Sequence, residues 1–104
     1  MVEVFFPRPV GTRLRLKVTG HARADTKGKD PVCAAVSALV QIFLGGMERE
    51  VQATVEGIFE EGLCDVQVAV KPSRQAEFTA ISRVFRFGFE KLAQDYPSHI
   101  RIVN

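Results

Sequence analysis

The sequence predicts an α+β fold. The order is β-β-α-β-β-α-β, a two-layer sandwich with a largely antiparallel sheet and two helices on one face. Three observations predict it. Two stretches, 2–19 and 51–71, alternate apolar and polar residues with a turn inside each, as half-buried hairpins do. Two others, 31–44 and 73–95, repeat apolar residues every three or four positions, as amphipathic helices do. The 104 residues contain no long linker, repeat or low-complexity segment, so 1–104 is expected to form a single domain.

Each element has a local reason. Val2, Val4 and Phe6 share one side of the first strand, and Pro7-Arg8-Pro9-Val10-Gly11 reads as a turn. Over 12–19, Leu14, Leu16 and Val18 face one way while Arg13, Arg15 and Lys17 face the other, giving one buried and one basic face. Residues 20–30 have no apolar period and read as a loop. Asp30 then suits the N-cap of a helix, and Pro31 suits the first helical position, where a missing N–H costs nothing. Val32, Ala35, Val36, Leu39 and Phe43 follow at helical spacing, and Gly45-Gly46 predicts the helix end. Val51, Ala53, Val55 and Phe59 open the second hairpin, Glu60-Glu61-Gly62 turns it, and Cys64, Val66, Val68 and Val70 return. Lys71-Pro72-Ser73 stops that strand. From about Ser73 to Asp95, Phe78, Ile81, Phe85, Phe89, Leu92 and Tyr96 make one stripe. Val84 and Phe87 widen it, either as further core or as contact with a second subunit. Pro97 closes the helix, and 100–103 reads as a short final strand.

Composition narrows the function classes. Hydrophobic residues make up 46% and charged residues 25%, an ordinary globular balance. No apolar run approaches the roughly 18 residues of a membrane span. Residues 1–8 lack a signal-peptide pattern, so the expectation is a cytoplasmic protein with no membrane partner. Two cysteines in such a chain are expected to be reduced. Neither zinc-ligand spacing, a phosphate loop nor a dinucleotide fingerprint is present, so neither metal nor cofactor is expected. The net charge of +2 is unevenly spread, because residues 1–30 hold seven Lys/Arg against three Asp/Glu. That surplus is either a solvated strand face or an attraction for an acidic or RNA-rich neighbourhood. Arg13, Arg15 and Lys17 could meet phosphates, yet no aromatic lies between them to stack bases, so direct RNA binding is unsupported.

Chemistry concentrates in 20–37. With Asp30 as N-cap, Cys33 is the third helical residue, near the unpaired N–H groups and the positive end of the helix dipole. Such places favour the thiolate, which is the nucleophile. His21, across the loop, could act as general base and then as charge partner. Asp30 adds opposing negative charge, but it holds the helix start or orients His21. Ser37 lies one turn after Cys33 on the same face. Its hydroxyl either points at the site or bonds back to the preceding turn. The plainer alternatives are a small buried Cys33 and an ordinary turn residue at His21. Cys64 shares its strand face with three valines and reads as core.

Gly20-His21-Ala22, a short polar loop, and Asp30-Pro31-Val32-Cys33-Ala34-Ala35-Val36-Ser37 resemble the bacterial ribosomal-processing cysteine proteases, and the likeness in length and element order covers the whole chain. Pro31 stands where the family commonly has an aliphatic residue. The resemblance implies a small cytosolic homodimer that removes a short N-terminal extension from a precursor of a large-subunit ribosomal protein. It places the nucleophile on Cys33 and the base on His21, with Gly20, Asp30 and Ser37 at supporting positions. The peptide would carry two aromatics before the cut. The 22–29 loop, with Arg23, Asp25, Lys27 and Gly28, would order over it as a flap. N–H groups at the helix start are the expected oxyanion donors. The alternatives are a non-enzymatic ribosome-assembly or rRNA-binding module, and a thiol redox sensor at Cys33.

Overall fold

The alternating stretches become strands of one sheet. The computed structural model describes residues 1–21 and 30–104. Its elements are β1 (Val2–Phe5), β2 (Arg13–Thr19), α1 (Pro31–Val51), β3 (Thr54–Glu60), β4 (Leu63–Ala69), α2 (Gln75–Asp95) and β5 (Ile100–Ile102), with a 3-10 turn at Pro72–Arg74 before α2. The sheet order is β3-β4-β2-β1-β5. All neighbours are antiparallel except β1 and β5, which run parallel with Val2 beside Ile100. This is the expected α+β sandwich.

Register follows burial. Val2 and Val4, then Leu14, Leu16 and Val18, then Cys64, Val66 and Val68 are buried, and they join the inward faces of both helices in one core. Three phenylalanines bolt the layers together. Phe6, just past β1, lies 5.1 Å from Phe43 of α1 and 5.5 Å from Phe89 of α2, centroid to centroid. Truncating a fully buried Phe of this kind costs about 3–5 kcal/mol. The buried Ser82 hydroxyl is satisfied by donating to Phe78 O at 2.7 Å.

Four sequence expectations need correction. First, α1 does not stop at Gly45-Gly46. Leu44, Met47 and Val51 continue the buried stripe, and their burial outweighs roughly 1 kcal/mol lost at each glycine. Val51 is therefore the last helical residue, Ala53 is buried in the connection, and the strand begins at Thr54. The true cap is Gln52 in the left-handed conformation, φ 52°. Second, of the two readings left open for Val84 and Phe87, further core does not hold, because each is 66% exposed. Third, α1 is long and apolar enough, by length and composition, to cross a membrane. Here one of its faces packs into the core described above. Its outward face is also uncharged from Pro31 to Met47, with Ile42 exposed. Fourth, α2 starts at Gln75, after the 3-10 turn, and β5 ends at Ile102.

Candidate active site

Three elements converge at one end of the sheet: the end of β2, the start of α1 and the β3–β4 hairpin tip. Between them lies a cleft of about 870 Å³, lined by Gly20, His21, Asp30, Cys33 and Ser37 among others. Five residues picked from sequence thus share one surface. Arg23, Asp25, Lys27 and Gly28 lie outside the described residues.

The helix start is built by Asp30. Its backbone is extended and its side chain is buried at 7% exposure. Oδ1 accepts from Val32 N–H at 2.9 Å and Cys33 N–H at 3.1 Å, while the Asp30 carbonyl accepts from Ala34 N–H at 3.1 Å. A buried carboxylate needs such donors, and a helix start has them in excess. Cys33 is half-buried against the core and faces the cleft. The same bonds correct the oxyanion expectation. The N–H groups of residues 32–34 are engaged by Asp30, and Pro31 has none, so the first turn of the helix offers no spare donor in this state. Ser37 is exposed on the cleft wall, and its Oγ accepts from Gln41 Nε2 at 2.8 Å.

His21 is set by backbone. Gly20 takes φ +90°, and a Cβ there would sit 2.3 Å from Met1 O, so both the conformation and the close approach require glycine. The Met1 ammonium donates to His21 O at 2.7 Å. Gly20 N–H donates to Gly62 O at 3.0 Å, tying the loop to the hairpin tip. The imidazole itself rests on Gly62, where an added Cβ would meet Nε2 at 2.8 Å. Sequence reading marked Gly62 as a turn residue and missed this contact.

Two further residues complete the cleft. Phe59, on the helix side of β3, remains 50% exposed over it. Cys64 lines its floor and is buried; burial first, and the Asp65 charge second, push its thiol up to about 11. Among the described residues no group of three His, Cys, Asp or Glu side chains could hold a metal ion.

The arrangement offers a thiol and an imidazole on one largely apolar cleft. Comparison with known proteins points the same way. The family model for "Cysteine protease Prp" matches residues 1–101. Among solved structures, the fold matches the essential ribosomal processing protease Prp from Staphylococcus aureus with a covalently linked product peptide. The TM-score is 0.79 at 16% identity, over 98% of this chain and 97% of that one. The same enzyme with a substrate peptide gives 0.75 at 15% identity, over 99% and 98%. SMU.848 from Streptococcus mutans gives 0.77 at 25% identity, over 98% and 91%. No curated protein sequence matches the chain.

Proposed function

This chain belongs to the cysteine protease Prp family, and from that premise we propose that it removes the short N-terminal extension of a large-subunit ribosomal protein precursor, with Cys33 as nucleophile and His21 as base. The supporting observation is that His21 and Cys33, from separate elements, line one cleft with Phe59 exposed above it. The Cys33 thiolate attacks the scissile carbonyl carbon. The carbon–nitrogen bond breaks as imidazolium at His21 gives its proton to the leaving amine. Water, losing a proton to His21, then attacks the thioester and restores the thiol while releasing the new carboxylate. With the N–H groups of residues 32–34 held by Asp30, oxyanion donors come from elsewhere in the site or from an N–H that Asp30 yields. Asp30 itself fixes the helix start and so the height of Cys33. An apolar peptide with aromatics before the cut suits the cleft, whose walls include Val18, Val36, Val40 and Phe59.

The enzyme acts in the cytoplasm as a homodimer on this reading. Val84 and Phe87, exposed on the outer face of α2, supply apolar surface for the second copy. Phe87→Glu is expected to convert a dimer to a monomer in analytical ultracentrifugation. An rRNA-binding alternative draws less support from the basic face of β2. Arg15 is spent on a bidentate bond to Asp65 at 3.0 and 2.8 Å.

The decisive experiment incubates the extended and the mature forms of the same cell's ribosomal protein with the purified enzyme. Mass spectrometry should find one cut that converts the first into the second. An extended precursor left intact by wild type would end this assignment.

A further inference from the structure

We propose that Gly62, at the tip of the β3–β4 hairpin, is a positioning residue for His21. This inference rests on the reading of His21 as the base. His21 is exposed, so core packing does not orient its ring. The hairpin tip does. A Cβ at residue 62 would lie 2.8 Å from His21 Nε2, 3.2 Å from Cε1 and 3.7 Å from Cδ2. The first of these is closer than side-chain carbons approach, so any larger residue displaces the imidazole. The backbone makes the same connection, because Gly62 O accepts from the Gly20 N–H at 3.0 Å. Ring and backbone of the 20–21 segment are therefore gauged against one residue of another hairpin. The turn alone would ask for glycine at φ +76°. The contact asks for it a second time, on the catalytic side.

Gly11 separates the two demands. It has φ +60° with nothing within 4 Å of an added Cβ, so Gly11→Ala carries the backbone strain without the collision. Gly62→Ala carries both. Displacing a catalytic group by an ångström costs up to ~10²-fold in rate. Gly62→Ala is expected to lower kcat on the extended precursor roughly ten- to hundred-fold at nearly constant KM. It should also shift the His21 ring resonances in NMR. Gly11→Ala should leave both kcat and those resonances near wild type, with a similar loss in Tm. In wild type, nuclear Overhauser contacts should join the His21 ring protons to the Gly62 Hα protons. Gly62→Asn, better tolerated at positive φ, bears the same Cβ and covers the case in which the alanine variant misfolds. Should neither variant fold, the wild-type contacts decide. Equal kcat and unshifted His21 resonances in Gly62→Ala, or absent contacts in wild type, would overturn the inference. Failure of wild type to cut the precursor would instead sink the protease assignment, and the NMR contacts would still report on Gly62.

Discussion

Cys33 and Cys64 line the same cleft, yet their surroundings make them opposites. Cys33 stands in the first turn of a helix, among backbone N–H groups gathered by Asp30. Cys64 lies on a strand between buried valines, and its thiol is pushed up to about 11 by burial and by the neighbouring Asp65 carboxylate. The residue type is identical. What differs is the setting: Cys33 stands where helix N–H groups meet the Asp30 carboxylate, and Cys64 stands among apolar side chains. On the proposed reading of Cys33 as nucleophile, the element each cysteine sits on separates the two, since both line the cleft.

The contrast can be broken at several points. The largest effect is expected for Cys33→Ala, which should lose about 10⁴-fold or more of precursor cleavage while staying folded. Cys64→Val, which keeps an apolar side chain at this position, should cut within a few-fold of wild type. Cleavage lost in both variants would erase the distinction. Next comes Asp30. Asp30→Ala removes the cap and should cost about 1–2 kcal/mol of stability in denaturant titration. Asp30→Asn keeps an accepting oxygen and should stay near wild type in stability. A stable asparagine variant that alkylates faster at Cys33 would show that the Asp30 charge restrains the thiol, apart from its capping role.

A smaller effect concerns alkaline pH. The folded Cys64 thiol ionises at about 11 and its unfolded counterpart at about 9. Below 9 both are protonated, so pH has no leverage through this group. Between 9 and about 11 the unfolded chain alone gives up the proton, and stability falls as pH rises. Comparing denaturant midpoints at pH 8 and pH 10.5 should show this decline in wild type and less of it in Cys64→Val. The smallest effect is at Asp65, whose carboxyl is held below its ordinary range by the hydrogen bond from Arg15. A lowered carboxylate contributes above its unfolded value and is lost as pH falls through the folded one. Arg15→Ala should therefore lower stability only slightly at neutral pH, as exposed pairs do, and denaturant midpoints of variant and wild type should converge as pH falls through the folded Asp65 titration.

What could be read from sequence was what local rules govern. Alternation at Leu14, Leu16 and Val18 placed a buried strand face. Asp30-Pro31 placed a helix start and thus Cys33, and both hold in the structure. The end of α1 was illegible because two glycines signal a stop locally, while Met47 and Val51 overrule them through packing. The exposure of Val84 and Phe87 could not be read either. Helical period shows that a residue is off the main stripe, not what covers it. The seating of His21 on Gly62 joins two hairpins, and no local pattern encodes a contact between them.

The pairing of β1 with β5 carries a consequence for how the molecule assembles. Val2 lies beside Ile100, so this contact joins residues 98 positions apart (100 − 2). Such a contact is entropically late in folding, because everything between must be ordered before it is worthwhile. β5 is three residues long and sits at the margin of the sheet. It is the segment whose amides should exchange with solvent through the cheapest partial opening. β1 is exposed by that opening, and Met1 at its head abuts both Gly20 and His21. The marginal strand β5 therefore steadies, through β1 and Met1, the backbone beneath the imidazole.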